Sequence, residues 1–345
     1  MSDRKLATIR VIKDLKPIPN ADLIEVAVID GWEVVIKKGE FNVGDLCVYF
    51  EIDSWIPHEL APFLSKGKEP REYKGVKGER LKTIKLKGQI SQGLVLQRES
   101  VLTHDYENPT EGTDVTEYLN ILKWEREVPA QLAGKIAGNF PEFIPKTDQE
   151  RIQNYAKYIP KQTNLWEVTE KLDGSSMTVY RVKDLSKMDL GYRVGVCSRN
   201  YDLKTDDTDN SFVSTAWRLK LFQKLSEHNL EIALQGELIG PGIQKNPYNL
   251  SELEYHVYDI YDIKRQQYYL PEERQALCKL LDLKHVPVFA SYETDSNTTV
   301  SELLTFAEGK SSLNHNTQRE GLVFKNTLNN ESFKVISNAW LLKNE

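Results

Sequence analysis

The chain has 345 residues, of which 40% are hydrophobic and 28% charged, and its net charge is −6. This is an ordinary globular balance, long enough for two domains with real cores. It excludes a basic charge spread over the whole surface, so any nucleic-acid surface has to be local. The three cysteines (Cys47, Cys197 and Cys278) are far apart and form no C-x-x-C pair, which excludes a disulfide framework and a thiolate zinc site. No stretch reaches the about 20 apolar residues of a membrane span, and no apolar segment follows Met1–Lys5. The expectation is a soluble, intracellular protein with three buried thiols.

Short strands with turn punctuation fill the first part of the chain: residues 6–12, 23–29, 32–37, 46–52, 81–86 and 93–96. Trp32, Val34 and Ile36 share one face and Glu33 and Lys37 the other, the period of a half-buried strand, with Val35 the exception. Asp30-Gly31 marks a hairpin turn between two of these runs. Residues 1–125 are therefore expected to form an all-β, OB-like barrel. Between Ser65 and Gly88 stand nine basic residues and three acidic ones, with Tyr73 among them. That run either neutralises phosphates or is a solvated loop whose lysines protect a strand edge.

Residues 128–161, with four prolines, read as a connector. Residues 126–345 then mix strands (165–170, 177–182, 193–198, 232–238, 255–261, 321–326 and 332–336) with helices (218–229, 272–281 and one capped by Ser301). The expected class is α+β, with antiparallel sheets. The six histidines form no spaced cluster and are read as structural or surface residues.

Chemistry enters at Glu170-Lys171-Leu172-Asp173-Gly174. Asp-Gly after a strand is first a turn, but it leaves Lys171 at a strand end, where neighbouring cations and burial would lower its pKa and make it a nucleophile. Ser198-Arg199-Asn200 ends another strand, and Arg199 suits phosphate or ribose. Gly236-Glu237-Leu238 carries a carboxylate into the glycine–proline loop at Gly240-Pro241-Gly242. Tyr258-Asp259-Ile260 offers a ring for base stacking. Glu320-Gly321-Leu322-Val323-Phe324-Lys325 brackets an apolar strand with a carboxylate for Mg²⁺ and a lysine for phosphate, and Lys334 lies on the next strand. Each piece alone has a bland structural explanation.

The whole set, in this order, resembles the covalent nucleotidyltransferase superfamily of RNA and DNA ligases and mRNA capping enzymes. Residues 143–154, the Gly236–Gln244 stretch, and an OB-like half that precedes the lysine rather than following it resemble one branch, the ATP-dependent nick-sealing RNA ligases. The alternatives are a GTP-dependent capping enzyme, a DNA ligase, or a non-catalytic RNA-binding protein.

The resemblance implies an ATP-dependent RNA ligase that joins a 3′-hydroxyl RNA to a 5′-phosphate, at nicks in duplex RNA or RNA/DNA hybrid, with Mg²⁺ or Mn²⁺ and as a monomer. It implies Lys171 as the residue that takes AMP, with Asp173 beside it. Glu170 would read the adenine amino group and Tyr258 would stack on the base. Arg199 and Glu237 would hold ribose and phosphate, and Glu237 and Glu320 would serve the metal. Lys325 and Lys334 would meet the α-phosphate, and Lys146 and Arg151 the leaving pyrophosphate. The family often has a second lysine two positions after Lys334; here that position is Ile336, so either Lys325 or Lys343 supplies the charge or this branch manages with one lysine.

Overall fold

The computed structural model describes residues 4–102, 109–125, 133–156, 163–184 and 191–344. The connector's residues 128–132 and 157–161 and His104 lie outside these. The chain divides into two compact units, Met1–Glu127 with Leu341–Glu345, and Val128–Trp340.

The first unit is all β apart from short turns of helix, as expected for an OB-fold. Leu46–Phe50 is the middle strand of one sheet, flanked by Ala7–Val11 and Leu94–Gln97. Asp14–Pro17, Ile24–Ile29 and Trp32–Lys37 form a second sheet, and the hairpin between the last two turns at Asp30 with φ 52°. Trp32, Val34 and Ile36 are buried, as the alternation requires. Leu6, Ile9, Val48, Phe50, Ile56 and Val115 form the core of this unit.

Of the expected strand at 81–86 only Ile84–Leu86 is strand, and another strand, Val76–Arg80, ends just before it. Val76–Arg80 pairs with Ser54–Pro57 and Arg71–Tyr73, and Ile84–Leu86 forms a separate hairpin with Gln89–Ser91. That hairpin turns at Lys87 and Gly88, both with positive φ. Seven of the nine basic residues (Lys66, Lys68, Arg71, Lys74, Lys77, Lys85 and Lys87) are exposed. Arg80 is not, because it pairs with Asp53 and lies 3.7 Å over the ring of Trp124.

The second unit is built on two sheets. Seven strands run Ile136–Asn139, Tyr201–Leu203, Tyr192–Cys197, Ser175–Lys183, Ile232–Ile239, Glu254–Asp262 and Gln267–Tyr268 across one sheet. The other holds Glu150–Arg151, Ser332–Ile336, Gly321–Asn326, Asn164–Lys171 and Val288–Thr294. Among the described residues every pairing between these strands is antiparallel except Glu150–Arg151 against Ser332–Ile336. Met177, Phe212, Leu225, Leu234 and Val257 pack one core, and Trp166, Val168, Leu303, Phe324 and Phe333 another.

Two helix boundaries differ from the sequence reading. Within the run at 218–229 the helix is Leu221–Glu227, and a further helix, Ser211–Arg218, precedes it, the two separated where Lys220 takes the left-handed conformation at φ 54°. Helix Val300–Ala307 is capped by Thr299, not Ser301, because Glu302 three residues later closes a capping box on Thr299. Among the described residues no helix is long and apolar enough to cross a membrane. All three cysteines are free and buried. Burial pushes the thiol of Cys47 up to about 12 and that of Cys278 up to about 11, and holds Cys197 above the ordinary range.

Candidate active site

The lysine strand Asn164–Lys171 fixes the site by register. Lys171 lies opposite Gly321, Thr169 opposite Val323 and Glu167 opposite Lys325. On the next strand Val323 faces Lys334 and Lys325 faces Ser332. Cross-strand partners share a face and residues two apart repeat it, so Lys171, Lys334 and Lys325 stand on one side of the five-stranded sheet. After Leu172 the chain crosses to the seven-stranded sheet, entering it at Ser175. The crossing is tight: a Cβ on Gly174 would meet Leu238 O at 2.4 Å and Glu237 Cγ at 2.8 Å. The backbone N–H of Asp173 donates to Tyr248 Oη at 2.6 Å. This turn is what brings Glu237, which pairs with Ser176 on the neighbouring strand, beside the lysine.

Lys171 Nζ donates to Glu320 Oε1 at 2.7 Å. Sequence reasoning surrounds this amine with cations; the structure surrounds it with carboxylates. Burial pushes its pKa down, but Glu320, Glu237 and Asp173 together raise it above the ordinary lysine value. The same crowding acts on Glu237. Burial pushes its carboxyl up to about 8, Lys171 opposes this, and Glu320 and Asp173 reinforce it. An oxygen-only donor set held this far from its ordinary ionisation fits a hard divalent cation such as Mg²⁺ or Mn²⁺. Among the described residues no three acidic, histidine or cysteine side chains cage an ion unaided. The fit is therefore to an ion held partly by water and phosphate, with Glu237 and Glu320 as its carboxylates.

The Glu237 shift has a measurable sign. A folded-state pKa raised from 4.5 to about 8 means the carboxyl favours folding at low pH, and this contribution is lost as pH rises through about 8. In metal-free buffer the melting temperature of Glu237→Gln should gain on that of the wild type across this window. A difference that stays constant with pH would contradict the assignment.

Strand alternation separates Glu170 from Lys171, placing their side chains on opposite faces. The sequence reading gives the Glu170 carboxylate to an adenine beside the amine. In the structure Oε2 accepts from the backbone N–H of Ser312 at 2.7 Å, and the buried Oε1 has no hydrogen-bond partner among the described residues. Tyr258 is held by its hydroxyl, 3.0 Å from Ser176 Oγ and 3.1 Å from Thr147 Oγ1. Its ring packs toward Leu172 and Ile239.

Asp148, on the connector, lies between two candidate phosphate ligands. Its Oδ1 accepts from Lys334 Nζ at 2.7 Å and its Oδ2 from Arg199 Nη2 at 3.3 Å. Asp148 thus brings Arg199 and Lys334 to one carboxylate. Lys325 turns elsewhere. Its Nζ donates to the Tyr258 carbonyl and to Asp259 of the seven-stranded sheet. Burial lowers its pKa to about 8 against the pull of Asp259. Lys146 Nζ reaches Asn200 Oδ1 at 3.3 Å, and Arg151 is the register partner of Lys334.

Several residues that sequence reasoning passed over complete this region. Arg274, 1% exposed, donates from Nη2 to Glu167 and from Nε to His285 Nε2 at 2.9 Å. Its Nη1 lies 3.9 Å from Asp259 Oδ1. Gln275 also donates to Glu167. This buried chain of charges supports the segment that carries Tyr258 and Asp259. The pull of burial and of Arg274 lowers the pKa of His285 to about 4, so it is neutral and accepts from the arginine. The legible signal was an arginine on the inner face of an otherwise amphipathic helix, Pro271–Leu280.

Comparison with known proteins agrees with this geometry. An OB-fold domain model matches residues 6–98 and an RNA ligase model matches residues 164–336. A search of curated proteins returned no match. Among solved structures, a Naegleria gruberi RNA ligase in a lysine-to-alanine form with ATP and Mn is 45% identical with a TM-score of 0.89, covering 98% of this chain and 99% of that one. A glutamate-to-alanine form with AMP and Mn is 45% identical with a TM-score of 0.90, covering 99% of each chain. The same enzyme with PPi is 46% identical with a TM-score of 0.89, again covering 99% of each. With an RNA ligase domain behind an OB-fold and such identity along almost its whole length, this chain belongs to the RNA ligase family.

Proposed function

We propose that this RNA ligase uses ATP and Mg²⁺ or Mn²⁺ to seal nicks in duplex RNA or RNA/DNA hybrid, through a lysyl-AMP on Lys171 and an adenylated 5′-end. The observation that carries this is Lys171 Nζ, presented at a strand end within a hydrogen bond of Glu320 and on the same sheet face as Lys334. The related ligases with ATP, AMP and Mn support the choice of nucleotide and metal.

In the first step the Nζ–Pα bond forms and the Pα–O bond to pyrophosphate breaks. Glu320 Oε1, 2.7 Å from Nζ, orients the ammonium, which has to lose its proton before attack. A 5′-phosphate oxygen then displaces lysine from the AMP, and a 3′-hydroxyl displaces AMP in turn. All three are transfers at phosphorus, so the protein's work is positioning and charge neutralisation. Lys334 and Arg199 meet phosphate oxygens, each worth roughly a few kcal/mol in the transition state. A bound divalent ion, held through Glu237 and Glu320, would neutralise phosphate charge and offset the carboxylates that raise the pKa of Lys171. Asp173 fixes the turn behind the nucleophile. Tyr258 stacks on the base, with Lys325 and Asp259 fixing its position. Glu170 anchors the strand end to Ser312. The exposed basic residues at 66–87 suit the phosphate backbone of the substrate. The protein acts as a monomer inside the cell, where a reducing compartment suits its three free thiols.

The test is sealing of a nicked duplex with ATP or GTP, in which the 3′-hydroxyl terminus is RNA or DNA. Joining only with ATP and only from an RNA 3′-end is expected. Joining driven by GTP, or equal use of a DNA 3′-end, would overturn this reading.

A further inference from the structure

Asp148 pairs with both Lys334 and Arg199, and the two cations come from different sheets. Lys334 is on Ser332–Ile336 of the five-stranded sheet, and Arg199 follows Tyr192–Cys197 of the seven-stranded sheet. One oxygen of Asp148 goes to each, at 2.7 and 3.3 Å. Lys146 is two residues away along the connector, and Arg151 is the register partner of Lys334. A carboxylate whose two oxygens are divided between Lys334 and Arg199 holds this pair as two oxygens of a phosphate would. Asp148 is 26% exposed and Arg199 45%, so both have room to exchange partners. Lys334, at 11%, does not, and keeps its aim whichever anion it holds.

We propose that Asp148 is an internal phosphate mimic. It positions Arg199 and Lys334, one from each sheet, in the nucleotide-free enzyme and is displaced from them by a phosphate of the incoming nucleotide or of pyrophosphate. The proposal rests on reading Arg199 and Lys334 as phosphate ligands. Its consequence is a competition: every phosphate that binds has first to replace Asp148, so the aspartate weakens binding while holding the cations apart in a productive arrangement.

The full-length Lys171→Met protein, which cannot adenylate, is titrated with inorganic pyrophosphate by calorimetry at fixed Mg²⁺. Two partly exposed ion pairs place the expected gain for Asp148→Asn at about fivefold tighter binding. Asp148→Ser should show the same gain and Asp148→Glu little change, which separates loss of charge from loss of shape. With ATP as substrate on the otherwise wild-type enzyme, Asp148→Asn should lower KM without raising kcat. If Asp148→Asn and Asp148→Ser bind pyrophosphate no more tightly than their parent, while Lys334→Ala binds it more weakly, the mimic is wrong and the phosphate site stands. If Lys334→Ala and Arg199→Ala bind pyrophosphate as well as their parent, the phosphate site itself is wrong and the mimic falls with it.

Discussion

Lys171→Met should form no covalent adenylate and should lose roughly 10⁴-fold or more of its ligation with ATP. Methionine keeps the length of the side chain but has no nitrogen to bond to phosphorus. It also removes the partner of Glu320, leaving Glu320, Glu237 and Asp173 to repel one another around an apolar side chain. The fold should survive, since Lys171 stands at a strand end and its side chain is 28% exposed. Two measurements isolate the nucleophile. With α-labelled ATP and a denaturing gel, the wild type should carry an acid-labile label and the variant none. Offered a strand already adenylated at its 5′-end, the variant should seal far better than it does with ATP, because only the first transfer needs the amine. A labelled variant, or equal failure with both substrates, would contradict the role given to Lys171.

Replacing Arg274 with methionine should cost about 3–5 kcal/mol of stability, because one side of a fully buried charge network is removed and the other left behind. Glu167, 5% exposed, would keep only Gln275 among its two shown donors, and His285 Nε2 would lose the donor shown to it. For a domain of this size the loss corresponds to a drop of roughly 10 °C in melting temperature. Urea denaturation should show the same loss as a lower midpoint. Replacing both Arg274 and Glu167 with apolar residues should recover part of it, since the stranded carboxylate goes too. A shift below about 1 kcal/mol in the single variant, typical of an exposed pair, would show that the network does not stabilise the domain.

The motifs made the positions of the site legible, but not the partners. Lys171, Glu237, Glu320 and Lys334 were readable as residue types at strand ends. Which of them meet is decided by register, and a shift of one residue would turn every side chain to the other face. Glu170 and Lys325 show this. The motif names Glu170 but not that its carboxylate accepts from Ser312, 142 positions on. It names Lys325 but not that Asp259 of the second sheet pairs with it. Arg274 and Glu167 are 107 positions apart, and no local pattern joins them. Trp32–Lys37, with its steady alternation, and the fully buried Gly321–Asn326 were legible to the residue. Short ones such as Ser54–Pro57, and the edge strand Val288–Thr294 with its exposed Val288 and Phe289, were not, because packing rather than propensity makes them strands.

The burial of all three thiols makes the native chain a quiet background for maleimide chemistry. A cysteine introduced at an exposed position becomes a selective handle for a fluorophore, with no need to strip the native ones first. Conversely, reagent uptake by Cys197 or Cys278, which lie within the ligase unit, clocks the rate at which that unit opens, and Cys47 clocks the other.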